Sequence, residues 1–195
     1  MSSWRSGFGD GGPEDFNEEA LLGVNLLDLI QNGDPLAVRE CIDRGAKVIP
    51  DIGPESMSIM TPYLHVAAGL GRTTVAEILV GAEPECVNLT DMYGRTALHV
   101  AALGDHPDTA HVLVQMGVDP DKKDLNGLTA VDLAQARGNT RVLRALEGAG
   151  ISVEPPKDMA ELRAKVAAIY PLSEKAHTTR LRLRKKPEEP DIPIR

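Results

Sequence analysis

The sequence is poor in aromatic side chains. Only 3% of its 195 residues are Phe, Trp or Tyr, and Trp4, Phe8 and Phe16 crowd at the start. That argues against a base-stacking sheet for nucleic acid and against an aromatic-rich β-sandwich. Cysteine is scarce as well. Cys41 and Cys86 alone make no disulfide framework. No apolar run is long enough to cross a bilayer. The opening residues are Gly-rich and acidic, unlike a secretory signal or an Arg-rich transit peptide. Asn88-Leu89-Thr90 matches a glycosylation sequon, which is idle without secretion. These features predict a reducing, intracellular, non-secreted setting. The cytoplasm is the default, and an organelle interior such as the mitochondrial one stays open.

What is present is acidic and globular in composition. Hydrophobic residues make up 42% and charged residues 26%, and the formal net charge is -8. The charge is uneven. Lys175, Arg180, Arg182, Arg184, Lys185 and Lys186 form a basic run without an acid, whereas the rest of the chain is acidic. The body should therefore repel nucleic acid, and only residues 175–186 could attract it or an anionic lipid.

The main signal is self-similarity. Asp91, Gly94, Thr96, Ala97, Ala101 and Gly117 recur as Asp124, Gly127, Thr129, Ala130, Ala134 and Gly150, each pair 33 residues apart. The block Thr96-Ala97-Leu98-His99-Val100-Ala101-Ala102 also matches Thr61-Pro62-Tyr63-Leu64-His65-Val66-Ala67-Ala68 once Tyr63 is treated as an insertion. Thr at 61, 96 and 129 can cap the start of a short helix. Those first helices are predicted over 63–69, 97–104 and 130–137. Second helices follow from 3.6-type spacing at Val75, Ile78 and Leu79, at Ala110, Leu113 and Val114, and at Val142, Ala145 and Leu146. Gly45, Gly117 and Gly150 sit where such helices end.

This pattern resembles the ankyrin repeat. Thr61-Pro62, Leu64-His65 and Ala67-Ala68 are similar to that family's helix-opening motif, and Gly33 to Ala46 resembles a second helix with its exit turn. The resemblance implies an all-α solenoid of stacked helix-turn-helix units with finger loops. Four repeats are predicted, at 22–54, 55–90, 91–123 and 124–153, behind an acidic Gly-rich leader at 1–21. The array departs from the pattern at three places. The first repeat has no Thr-Pro-Leu-His block, the second no exit Gly, and the fourth has Asp132 where the others have His65 and His99. The finger entering repeat two is longer than the others.

Pro155-Pro156 breaks the chain after the array. Asp158 and Glu161 then fit a capping box, and Met159, Leu162, Val166 and Ile169 form one apolar stripe that Pro171 ends. An amphipathic helix is predicted over 157–170, either capping the edge of repeat four or docking into a partner. Residues 171–195 are basic and contain Pro187, Pro190 and Pro193, which predicts an extended arm. Arg180-Leu181-Arg182-Leu183-Arg184 alternates, placing charge on one face of an extended chain and Leu on the other.

Motifs of catalytic or metal chemistry are weak. Gly7-Phe8-Gly9-Asp10-Gly11-Gly12 fits a dinucleotide pattern, but no apolar strand precedes it. His65 and His99 fall in the helix-opening motif and are expected to steady loops by local hydrogen bonds, as is His106 in the inter-helix turn. His111 is expected to be solvated, Cys41 buried in a helix, and Cys86 in a loop, either accessible or covered by a partner. No cofactor, metal or catalytic residue is implied, and the chain is not expected to be an enzyme.

The resemblance implies a protein-binding surface of finger tips and first helices. Carried over position by position, it comprises Met92, Tyr93, Arg95 and Leu103 in repeat three. In repeat four it comprises Leu125, Asn126, Leu128, Ala136 and Arg137. The long finger adds Met57, Ile59 and Met60, and the arm adds Arg180, Leu181, Arg182, Leu183 and Arg184 as a strap. The list is apolar for a solvated groove, which points to an interface. The expected role is a scaffold or accessory subunit of a larger protein complex. Two alternatives are an ankyrin-type regulator or inhibitor of an enzyme, and an adaptor that meets nucleic acid or anionic membrane through the basic arm.

Overall fold

The computed structural model of the protein describes residues 26–49 and 62–171. Among the described residues there are nine α-helices and no strand. They are α1 (Leu26–Asn32), α2 (Pro35–Asp43), α3 (Tyr63–Gly69), α4 (Thr73–Ala82), α5 (Ala97–Gly104), α6 (Pro107–Gln115), α7 (Ala130–Arg137), α8 (Thr140–Gly148) and α9 (Met159–Ile169). The first eight form four pairs. First helices pack on first helices, α1 on α3, α3 on α5 and α5 on α7, while α2, α4, α6 and α8 stack in a second row. This is the predicted solenoid, with its first helices at the predicted residues.

Local chemistry explains where each helix starts and stops. The Asp34 carboxylate accepts from the N–H groups of Leu36 and Ala37 at 3.0 and 3.2 Å, and Pro35 occupies a first-turn position that needs no N–H. Thr96 and Thr129 precede α5 and α7 in extended conformation, as expected. Before α3 the cap position belongs to Pro62, not Thr61, because Tyr63 opens the helix; Thr61 lies outside the described residues. At the exits, Gly117 and Gly150 take positive φ of 91° and 88°. There the N–H of Val118 reaches Leu113 O at 3.1 Å and that of Ile151 reaches Leu146 O at 3.0 Å, closing each helix in the same way.

Repeat two, which has no exit Gly, closes instead with a 3₁₀ turn over Pro84–Asn88. That turn buries Cys86 to 2% exposure. The expectation of an accessible or partner-covered Cys86 is thus corrected, and burial followed by the nearby Glu83 carboxylate pushes its thiol pKa up to about 11. Cys41 is only half-buried against the core. His111 is not simply solvated either: its Nδ1–H donates to Ala145 O at 3.2 Å while Gln115 Nε2 lies 2.9 Å from its other nitrogen.

Adjacent repeats are tied by a ladder that starts in the inter-helix turns. Arg72, His106 and Asn139 each reach back to a first-helix carbonyl of the preceding repeat. Their partners are Gln31 O at 3.0 Å, Gly69 O at 3.0 Å and Ala102 O at 2.7 Å. Gly71 serves this approach, since a Cβ there would sit 2.5 Å from the His106 ring and its φ is +67°. Asp105 stands at the same turn position one repeat later, also left-handed at φ 59°.

One apolar core runs through all four pairs, from Leu26 and Ile30 to Val142 and Leu146. Its end is closed by the segment after α8: Ile151 and Val153 pack on it, and Gln135 donates to Glu154 O at 2.6 Å. A second, smaller cluster joins Leu128 and Leu133 to Val166 and Tyr170 of the C-terminal segment.

Candidate protein-interaction surface

Among the described residues, the fingers of repeats three and four are each a tight turn organised by one aspartate. Asp91 Oδ1 accepts from the N–H groups of Tyr93 and Arg95, both at 2.9 Å. Asp124 Oδ1 accepts from Asn126 and Leu128 N–H at 2.8 and 2.9 Å. Asp is suited to this because its short carboxylate can bond its own backbone two and four residues on. The N–H of Leu125 then donates to Tyr93 O at 3.0 Å, which joins the two finger tips directly.

Histidines fix the fingers to the helices. His99 Nδ1 accepts from the Thr96 N–H at 3.2 Å, which leaves the proton on Nε2 to donate to Leu128 O at 3.0 Å in the next finger. His65 Nε2 donates to Arg95 O at 2.7 Å in the same sense. The bonds are therefore inter-repeat as well as local. His65 Nδ1 is buried without a partner, because Pro62 stands where Thr96 supplies an N–H. Burial, opposed by the hydrogen bonds to Arg95 and Leu128, holds both imidazoles below their ordinary pKa. Repeat four has no following finger to hold, and Asp132 closes a local box there. Its Oδ2 accepts from Thr129 N–H at 2.8 Å while Thr129 Oγ1 lies 3.2 Å from the Asp132 N–H.

The two aspartates differ in what meets their second oxygen. Asp91 Oδ2 takes the Arg95 guanidinium, with Nε and one terminal nitrogen both at 2.7 Å. Repeat four has Leu128 in place of Arg95. There the Tyr170 hydroxyl, from the end of α9, donates to Asp124 Oδ2 at 2.5 Å. Burial raises the Asp124 pKa, but the bonds from Tyr170, Leu128 and Asn126 outweigh it and leave the carboxyl below its ordinary value. Burial, then Asp124 itself, pushes the Tyr170 hydroxyl well above its usual pKa. The Tyr170 ring lies edge-on to Tyr93 at 6.4 Å, and Arg95 sits over both rings, 4.7 Å from Tyr93 and 5.2 Å from Tyr170.

The expected binding residues therefore divide into two sets. Met92, Tyr93 and Leu125 are exposed at the linked finger tips, by 69%, 42% and 77%. Arg95, Leu103, Asn126, Leu128, Ala136 and Arg137 do not line an open groove. Leu128 is buried, and Leu103 and Ala136 pack on the cluster that includes Val166 and Tyr170. Asn126 lies 3.3 Å from the Tyr170 hydroxyl and its carbonyl takes Lys165 Nζ at 2.9 Å. Arg137 donates to Tyr170 O. Helix α9 thus does more than cap the edge of repeat four: it packs on α7 and carries Tyr170 to the fingers of repeats three and four. The sequence pattern did not reveal Tyr170 or Asp124 as partners. The available signal was the loss of the Arg95 equivalent at Leu128. Met57, Ile59, Met60, Arg180, Leu181, Arg182, Leu183 and Arg184 lie outside the described residues.

Among the described residues no group of His, Cys, Asp or Glu could hold a metal ion, and no helix is long and apolar enough to cross a membrane.

Comparison with known proteins fits this architecture. The family model for ankyrin repeats (3 copies) matches residues 29–124 and 64–155, so the chain belongs to the ankyrin-repeat family. It is 31% identical over 137 residues to transient receptor potential cation channel subfamily A member 1 of Drosophila melanogaster, covering 67% of this chain and 11% of that protein. It is 32% identical to inversin of Gallus gallus over 47% of this chain and 8% of that protein. It is 36% identical to oxysterol-binding protein-related protein 1 of Homo sapiens over 43% and 10%. The chain spans about a tenth of the length of these relatives. Ankyrin repeats are in general non-catalytic protein-interaction modules, and the array is a protein-interaction module of that family.

Proposed function

We propose that the chain is a scaffold or accessory subunit of an intracellular protein assembly, and that it meets its protein partner through the finger tips of repeats three and four. The observation that carries this is the exposure of Met92, Tyr93 and Leu125 on two tips joined by the Leu125–Tyr93 backbone bond. Three neighbouring apolar side chains held on a rigid support form a patch that a partner can desolvate at little ordering cost. The division into repeats at 22–54, 55–90, 91–123 and 124–153, and the role of Arg180 to Arg184 as a strap, belong to the same reading.

Site-specific photo-crosslinking tests it. A photoreactive residue at Met92 or Leu125 should give one dominant crosslinked partner under native conditions, while the same residue at the exposed Glu147 on α8 should not. Equal crosslinking from Glu147, or none from the tips, moves the interface elsewhere.

A further inference from the structure

The two edges of the stack differ. At the repeat-four edge Ile151 and Val153 pack on the core and α9 covers α7. At the repeat-one edge the described chain starts at Leu26, the first residue of α1. The repeat register identifies the side chains that face this edge. Counted from the left-handed turn residues Gly33, Gly71, Asp105 and Gly138, Ala37 of α2 is equivalent to Val75, Thr109 and Val142, and Cys41 to Leu79, Leu113 and Leu146. Thr109 faces the preceding repeat, because its Oγ1 lies 2.8 Å from Thr73 Oγ1. His111, about 200° further round the same helix, faces the following repeat, where it bonds Ala145 O at 3.2 Å. Ala37, and Cys41 one turn later on the same side, therefore look toward the place that a preceding repeat would fill.

That place is not filled by the described residues. The equivalents of Ala37 and Cys41 in repeats two, three and four are all buried, whereas Ala37 and Cys41 are only half-buried. Leu29 of α1 shows the same difference: its equivalents Ala67, Ala101 and Ala134 are fully buried, and Leu29 is not. Repeat one thus presents apolar side chains in the state of a layer whose neighbour is missing.

The sequence next to this edge suits the vacancy. Residues 1–25 precede α1 and lie outside the described residues, and the stretch 16–25 carries Phe16, Ala20, Leu21, Leu22 and Val24. Ten residues can reach roughly 33 Å, while two helices side by side are only about 20 Å across. Because the stretch is joined directly to α1, its effective concentration at the edge is on the order of millimolar. A second copy of the chain is the poorer occupant, since Leu29, Ala37 and Cys41 offer far less than the roughly 800 Å² per partner that a stable dimer buries.

We propose that residues 16–24 fold back over the open edge of repeat one and set Phe16, Leu21 and Leu22 against Leu29, Ala37 and Cys41, in the place of a preceding repeat. The stretch is then a lid that completes the core at this edge and shields the Cys41 thiol. Cys86, buried inside the array, does not sense the lid and serves as the internal reference.

Thiol labelling of the full chain with N-ethylmaleimide, read at each cysteine by mass spectrometry, tests this. In Phe16→Ser/Leu21→Ser/Leu22→Ser, Cys41 should react at least about tenfold faster than in the wild-type chain, with Cys86 unchanged. Equal Cys41 rates in the two chains overturn the inference. So does Cys41 protection that rises with protein concentration, which assigns the edge to a second copy. If Cys86 accelerates as well, hydrogen exchange decides: acceleration confined to residues 26–43 supports the lid, and uniform acceleration from α1 to α8 contradicts it. Crosslinks from Met92 and Leu125 read a different surface, so failure here leaves the finger-tip reading standing.

Discussion

At the scale of single residues, the inter-repeat contacts carry a pH dependence with a definite sign. His65 and His99 are neutral in the folded array, with pKa values depressed below 6.5 chiefly by burial. The unfolded chain takes up these protons first as pH falls. The stability they contribute is therefore full above about 6.5 and is lost as pH falls below it. Thermal unfolding between pH 7.5 and 5.5 should show a falling Tm, and His99→Asn should reduce the slope. Asp105 gives a second test. It is a non-glycine residue in the left-handed region, with one buried carboxylate oxygen unpartnered, where Gly71 and Gly138 serve the neighbouring repeats. Asp105→Gly should raise stability by roughly 1 kcal/mol in urea unfolding. A loss of stability would mean that the Asp105 side chain supports the turn. The sequence made the left-handed glycines visible through their recurrence, but not the carbonyls that His65 and His99 reach, because these lie 30 and 29 residues away.

At the scale of elements, the helices were the legible part. Thr96, Thr129 and the 3.6-residue spacing located α5 and α7 to the residue, and Asp158 located the start of α9, whose Ala160 and Glu161 N–H groups it accepts. Two placements were not legible. Repeat two closes through the Pro84–Asn88 turn, and nothing in the pattern of Glu83-Pro84-Glu85 announces that Cys86 turns inward. Tyr170 falls after the predicted stripe of Met159, Leu162, Val166 and Ile169, so that stripe does not mark it as buried alongside Val166. Its role depends on Asp124, 46 residues earlier. The element makes its own prediction. Val166→Asp places a charge in the small cluster, which costs several kcal/mol if α9 stays docked, so the helix should detach. Limited trypsin digestion should then cut after Arg163 and Lys165 at least about tenfold faster, with α3 to α8 resistant. Simultaneous loss of the whole array would show that α9 is integral to the stack.

At the scale of the whole molecule, the array is a rigid support with two apolar features on one side: a covered one beneath α9 and an exposed one at the finger tips. The exposed tips can be altered without entering the core, because Met92 and Leu125 are 69% and 77% exposed. The most direct measurement of the account is partner affinity of full-length Met92→Ser/Leu125→Asp, compared with wild type by titration against the crosslinked partner. If the tips form the interface, affinity should fall by about thirtyfold or more, as for loss of ~2 kcal/mol at a desolvated anchor, while helical circular dichroism and Tm stay within error of wild type. Undiminished affinity in a normally folded variant would contradict the account.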